Sequence, residues 1–268
     1  MKTYTVEAFV LRMRPLGEAD RILTLFSRER GKLEAVAKGA RKTQSKFGAR
    51  LDFFNRSRIT LHAGRTLDVI TGAEALSHAW QRLVEPDTYV IVSYIAEMVD
   101  ALCEPELALP ELYQLLSEVQ SAVAAGMDAA AFVAAADMRL LKILGFAPEL
   151  DACARCGAAL QGRPLGGGRA TLSPQAGGLV CRRCTEAGFR GEGFDRYAHT
   201  LTLSVAEFAA LRMLAGDSLA QAAASPLGPR LSFVTRSFVE YNCGRRSKAM
   251  AVSNAQKTAP TPSRARTG

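Results

Sequence analysis

Four cysteines, Cys153, Cys156, Cys181 and Cys184, form two Cys-x-x-Cys pairs separated by 24 residues, and no other feature of the sequence restricts the fold as tightly. A Cys-x-x-Cys step lets two thiolates converge on one ion while the backbone folds over it. Two such steps complete the tetrahedral sulfur shell that Zn²⁺ prefers. Glycine stands beside each pair, as Gly157 after the first and Gly177-Gly178 before the second, where tight turns need positive φ. The separation slightly exceeds the commonest zinc-ribbon spacing, and Gly166-Gly167-Gly168 with Ser173-Pro174 read as the loop that absorbs the extra length. Spacing alone leaves two other readings open. Disulfides need an oxidising compartment, whereas the residues Met1-Lys2-Thr3-Tyr4-Thr5-Val6-Glu7 show no apolar signal segment. A redox Cys-x-x-Cys usually follows a strand in a βαβ unit and needs no second pair. The expectation is one structural Zn²⁺ on four cysteines, with no coordination position open for catalysis. Cys103 and Cys243 have no partner at motif spacing and read as buried thiols.

The chain of 268 residues allows two or three modest domains with real cores, and no apolar run approaches the roughly 20 residues of a membrane span. Its net charge of +8 is unevenly spread. Residues 1–80 carry 15 Lys and Arg against 8 Asp and Glu, residues 81–150 carry 3 against 11, and residues 245–268 carry 6 against none. A basic first third beside an acidic middle suggests that the first domain meets a polyanion and the middle does not.

The first 80 residues read as short strands. Residues 4–11 alternate with apolar side chains on both faces, so this strand is expected to be covered on both sides. Residues 22–26 and 31–37 follow after a turn at 14–18, and residues 52–62 and 65–71 make a hairpin across His62-Ala63-Gly64-Arg65. Five short strands without an intervening helix point to a closed barrel, and the OB-fold fits the count. From about Leu76 the pattern turns helical. Tyr89–Val99 is apolar all round and should be buried. Further helices are expected over Leu107–Ala125, over Ala129–Leu144 with Asp128 as N-cap, and over Ser204–Ala215 and Leu231–Cys243. The fold class is therefore α+β: an OB-fold barrel over 1–79, then a helical domain over 80–244 with a zinc-finger-like module inserted at about 151–190. Residues 245–268 read as a disordered basic tail.

The densest functional cluster is Lys38-Gly39-Ala40-Arg41-Lys42-Thr43-Gln44-Ser45-Lys46-Phe47-Gly48-Ala49-Arg50. Its cations suit phosphates, and Phe47 is the one aromatic expected to be exposed for base stacking; Phe9, Phe26, Phe53 and Phe54 read as core. A plain solvated basic loop is the alternative for this segment alone. Arg12, Arg14, Arg21 and Arg56 would extend the patch. Catalytic signals are weak. There is no Gly-x₄-Gly-Lys-[Ser/Thr] and no Gly-x-Gly-x-x-Gly after a strand, and His62, His78 and His199 are scattered. The acidic residues of 85–118 read as a solvated helix face rather than a nuclease site.

Arg14-Pro15-Leu16-Gly17-Glu18-Ala19-Asp20-Arg21, then Gly31-Lys32, then Ala37-Lys38-Gly39-Ala40-Arg41-Lys42 and Ser45-Lys46-Phe47-Gly48-Ala49 resemble the N-terminal signature of the bacterial RecO family of DNA repair proteins. Leu140–Cys153 and the paired cysteines resemble its C-terminal part, so the likeness spans about residues 4–242. It implies a recombination mediator without enzymatic activity. Such a protein binds single- and double-stranded DNA, anneals complementary strands, joins RecR, and helps RecA replace single-strand-binding protein. The likeness further implies that the helical domain takes the acidic, apolar C-terminal tail of single-strand-binding protein. The acidic middle segment leaves few cations for it, so residues from 151 onwards, such as Arg196, Arg212 or Arg236, are expected to supply them. A cytoplasmic, nucleoid-associated location follows from the same likeness. On the DNA side, Lys38, Arg41, Lys42, Lys46 and Arg50 are the expected phosphate contacts. A pure protein-interaction scaffold and a metal-dependent nuclease are the rival expectations.

Overall fold

The computed structural model describes residues 2–77, 83–160, 168–187, 200–214 and 219–251. The alternating segments become β1 (Thr3–Leu16), β2 (Asp20–Ser27), β3 (Gly31–Ala37), β4 (Arg56–His62) and β5 (Asp68–Ser77). They close into a barrel in the order β1-β2-β3-β5-β4, with β4 returning to β1. All pairings are antiparallel except the short β3–β5 contact. This is the OB-fold arrangement. Val6, Ala8, Val10, Leu23, Leu25 and Ile59 fill the interior. On the other face of β1 and β2, Phe9, Leu11 and Phe26 join the core of the helices. Both faces of β1 are covered, as its two apolar sets require.

Several strand boundaries differ from the sequence expectation, and the strand expected over 65–71 runs instead over Asp68–Ser77, past the point where a helix was expected. Residues 14–16, expected in a turn, stay paired with β2, and the reversal falls at Gly17, whose φ is +56°. Residues 52–55, expected in a strand, make a turn instead, with Phe54 at φ +59°. The Phe54 N–H donates to the Val10 carbonyl at 2.8 Å, beside a register shift in β1, and the buried Phe54 ring packs on Phe9. A tertiary contact overrides the local pattern here.

Three helices follow: α1 (Pro86–Leu102), α2 (Pro110–Ala124) and α3 (Ala129–Ile143). Proline opens α1 and α2, where a missing N–H costs nothing. The Asp128 carboxylate accepts from the Ala130 N–H at 3.0 Å, the expected N-cap. The cysteine module supplies β6 (Arg169–Ser173), β7 (Gly178–Leu179) and α4 (Arg182–Glu186). It borrows β8 (Leu201–Ser204) to complete a sheet of order β7-β6-β8. Strand β8 was not expected from the sequence. Then α5 (Val205–Leu214), α6 (Leu219–Ala223) and α7 (Gly228–Cys243) close around α3. Among the described residues no helix is long and apolar enough to cross a membrane.

Residues 245–251, expected at the start of a disordered tail, are ordered. Gly244 at φ +67° ends α7, and the Glu97 carboxylate accepts from the Ser247 hydroxyl and the Lys248 and Ala249 N–H groups at 2.9, 2.9 and 3.4 Å. One half-buried acceptor thus caps a last helical turn on α1. The remainder of the expected tail, 252–268, lies outside the described residues.

The barrel and helices are joined at Gly31-Lys32. A Cβ on Gly31 would lie 1.9 Å from the Leu107 carbonyl oxygen, and its φ is +65°. Beside it the Lys32 ammonium donates to the Asp100 carbonyl at 2.6 Å, and the Glu106 N–H donates to the Lys32 carbonyl at 2.9 Å. Farther along, the Gln120 side chain donates to the Phe54 carbonyl at 2.9 Å, and Tyr113 packs on Phe9. Gly31→Ala is expected to cost on the order of 3 kcal/mol in urea unfolding, through both the close approach and the left-handed backbone. Gly17→Ala, with open space around its Cβ position, should cost about 1 kcal/mol. Equal costs would show that the docking contact is unimportant.

At the centre of the bundle, Asp137 of α3 accepts from the Tyr94 hydroxyl at 2.9 Å and from the Thr235 hydroxyl at 2.8 Å. Burial pushes its carboxyl up to about 7, against the lowering effect of these two donors. The folded state therefore holds this proton more tightly than the unfolded chain. Stability from this group is full below pH 4 and declines as pH rises towards 7, by on the order of 4 kcal/mol at most. Asp137→Asn should flatten that decline in denaturation series run between pH 4 and 8. An unchanged slope would place the titration elsewhere.

Candidate nucleic-acid interface and metal centre

The basic segment between β3 and β4 is a fastened loop. The Gly39 N–H donates to the Asp20 carboxylate at 2.8 Å, and the Arg41 N–H and guanidinium donate to the Ala19 and Gly17 carbonyls at 2.9 and 2.7 Å. These bonds clamp the loop to the β1–β2 turn. At its other end, the Asn55 amide donates to the Ala49 carbonyl and the Ser57 hydroxyl to the Arg50 carbonyl, both at 2.6 Å. Phe47, expected to be exposed, is 2 % exposed and packs with Leu51 into the barrel core. Its apolar ring is worth more as a plug than as a platform in water. No base-stacking role remains for it.

The structure brings some of the expected cations together and separates others. Lys38 and Lys42 stand exposed, and their ammonium groups make no hydrogen bond or ion pair with the described residues. Arg41 shares their end of the loop. Lys46 lies over the Phe47 ring at 5.0 Å and donates to the Thr71 carbonyl at 3.0 Å, while Arg50 donates back to the Lys46 carbonyl at 3.0 Å. Arg12 and Arg14 project from the outer face of β1, where acidic groups meet them. Arg12 lies 3.2 Å from Asp100 and 3.9 Å from Glu34, and Arg14 lies 2.5 Å from Glu34. Arg21 donates to the Met13 sulfur at 3.5 Å; near it Asp52 has its pKa raised by burial against the lowering field of Arg21. Arg56 is directed elsewhere. It pairs in register with Phe9, so it shares that residue's helix-facing side, and its Nε is buried without a partner.

Sequence reasoning missed these acidic partners. The cations of the first third and the acids of the middle meet in part within the molecule, at Arg12, Lys32 and Asp100 and at Arg30–Glu106, 2.8 Å apart. Only the fold brings residues so distant in sequence into contact.

The candidate metal centre forms where the two cysteine pairs converge. The Gly157 N–H donates to the Cys153 carbonyl at 2.8 Å, with Gly157 at φ +69°, which folds the first pair. Gly178 passes so close to Glu149 that a Cβ would lie 2.3 Å from its carbonyl oxygen. All four sulfurs lie within 4.8 Å of one another, and Cys156 Sγ and Cys181 Sγ are 3.8 Å apart. A tetrahedron with Zn–S bonds of about 2.3 Å has an edge of about 3.8 Å, so the donor set fits one ion. Burial opposes ionisation of Cys153, but N–H donors of Cys181, Cys156 and Arg155 outweigh it and bring the thiol down to about 6. Of the remaining cysteines, Cys103 is buried, as expected, and Cys243 is half-buried.

Comparison with known proteins covers both parts of the chain. Residues 1–79 match the family model "Recombination protein O N terminal" and residues 84–251 match "Recombination protein O C terminal". A "DNA repair protein RecO" of Desulfitobacterium hafniense is 38 % identical over 191 residues, 70 % of this chain and 67 % of that protein. The protein of the same name from Nocardioides sp. is 34 % identical over 222 residues, 82 % of this chain and 89 % of its own length. That of Thermobifida fusca is 37 % identical over 193 residues, 70 % and 76 % respectively.

Cys181→Ser is expected to lower metal content, measured by mass spectrometry, together with stability, by on the order of 4 kcal/mol. Full occupancy with normal melting would show that this thiol is not a ligand.

Proposed function

The chain belongs to the RecO family of DNA repair proteins, and from that premise we propose that it is a recombination mediator that binds DNA through the fastened loop of its barrel. The carrying observation is the exposed cluster of Lys38, Arg41 and Lys42, with Lys46 and Arg50 behind it, on a loop held at both ends. Its cations meet phosphates of single and double strands without reading bases, so contacts are sequence-tolerant and salt-dependent. Arg12, Arg14 and Arg21 extend the surface along β1 and β2. Arg12 and Arg14 add to it by exchanging Asp100 and Glu34 for phosphate, so their net contribution is smaller than that of Lys38 or Lys42. Arg56 takes no part.

Annealing on such a surface needs no chemical step. Screening the phosphates of two strands lowers their repulsion, and base pairing supplies the drive, so the protein acts as a mediator and not as an enzyme. In this reading it works in the cytoplasm at the nucleoid, with RecR, in loading RecA onto DNA coated by single-strand-binding protein. The four cysteines hold one structural Zn²⁺. On the helical domain, the 57 % exposed Phe233 with the Arg236 guanidinium 5.9 Å from its ring supports a place for the acidic, apolar tail of single-strand-binding protein. Arg212 is engaged with Asp151 at 2.7 Å, and Arg196 lies outside the described residues.

A second reading, a protein-interaction scaffold without DNA affinity, draws on the ion pairs that already occupy Arg12 and Arg14. Anisotropy with labelled oligonucleotides over a salt series separates the two. Reversal of Lys38, Arg41 and Lys42 to Glu should flatten the slope of log K against log salt by about 2 to 3. Because Arg41 also braces the β1–β2 turn, the Lys38/Lys42 double reversal alone should flatten it by about 1 to 2. Unchanged slopes would overturn the assignment to this loop.

A further inference from the structure

A cavity of about 340 Å³ opens between β1 and α1. Its floor is apolar, formed by Leu11, Met13 and Ala96, and its rim carries an aromatic pair. The Phe53 and Tyr89 rings lie 5.6 Å apart at 57°, and Tyr89 is 49 % exposed near the start of a helix whose middle is largely buried. An exposed tyrosine beside a half-buried phenylalanine leaves ring surface open to a third π-system. Across the cavity stand Arg245 and Lys248, on the turn that Glu97 fastens to α1.

The acids of this cavity are already occupied. The Glu97 carboxylate takes the donors of residues 247–249 and lies 3.9 Å from the Arg245 guanidinium, which also donates to the Glu97 carbonyl at 3.5 Å, so Arg245 meets a phosphate by exchanging Glu97 for it. Asp100 takes Arg12 and Lys32. What faces the open space is therefore apolar, aromatic and cationic. The cavity also adjoins the barrel's outer cations, since Arg12 lines it and the Met13 sulfur accepts from Arg21.

We propose that this cavity is a single-nucleotide site for unpaired DNA, in which one base stacks against Tyr89 and Phe53 while its phosphate meets Arg245 and Lys248. The volume suits one nucleotide. A paired base cannot enter, because its face is already stacked within the duplex, so the site distinguishes single strands from double strands where the loop cations do not. The proposal rests on DNA binding by the barrel and adds to it a basis for strand preference.

The test is anisotropy with three oligonucleotides of equal length: a thymidine homopolymer, a duplex, and an abasic deoxyribose-phosphate strand. Tyr89→Ala should weaken the homopolymer roughly 5- to 150-fold and leave the duplex and the abasic strand unchanged, with Tyr89→Phe close to the wild type. Equal losses on all three probes, or no loss on any, would overturn the stacking site. A Tyr89→Ala variant that loses an acidic peptide with an apolar end and keeps the homopolymer would assign the cavity to a protein tail and overturn it as well. A wild type that binds none of the three overturns the parent reading of a DNA-binding barrel, which separates that failure from a silent Tyr89.

Discussion

The Lys32 ammonium, directed at the Asp100 carbonyl between barrel and bundle, is the contact on which the arrangement of the two halves turns. Its side chain is 16 % exposed, and Asp100, at 14 %, also receives Arg12. A charge at such depth is tolerable only with its partners in place, so the contact specifies one docking geometry as well as contributing to it. Gly31 brings the two backbones close enough for the bond to form. The Gly31-Lys32 pair that marks the family likeness thus has a physical reason. It concerns the joint between halves more than the surface proposed to meet DNA.

Much of the fold was legible in the sequence. Alternation gave five strands, and the two apolar sets of β1 announced a strand covered twice. Asp128 marked a helix start through a carboxylate that satisfies a backbone N–H donor. The cysteine spacing led to the four-sulfur cluster because its members lie within two short segments. Expectations failed where long-range packing overruled local pattern. Phe47 lies in a polar segment, so its neighbours suggested exposure, yet the barrel end needed an apolar stopper. The turn at 52–55 follows from a backbone contact with Val10, and the order at 245–251 from Glu97, some 150 residues earlier.

The candidate site was legible in composition but not in arrangement. Charge counting found the basic third of the chain, and it could not show that Asp100 and Glu34 reach Arg12 and Arg14. It also could not show that Arg56 shares a face with Phe9. Tyr89 had been read only as one residue in an apolar helix. Its exposure depends on the neighbouring chain, where Phe53 and the Arg245–Lys248 turn leave a gap.

The plugging of the barrel by Phe47 and Leu51 has a kinetic and entropic consequence. Fixing the backbone of a free loop costs about 1–2 kcal/mol for each residue ordered. Here folding has already met that cost, through the plug, the Asn55 and Ser57 bonds and the clamp on Gly17. A polyanion arriving at Lys38 and Lys42 finds a preorganised surface and needs to restrain only the ends of long side chains. Association can then run at a rate set by electrostatic steering rather than by loop closure, and dissociation leaves the barrel intact. On the proposed reading, a surface of that kind would suit repeated capture and release of strands.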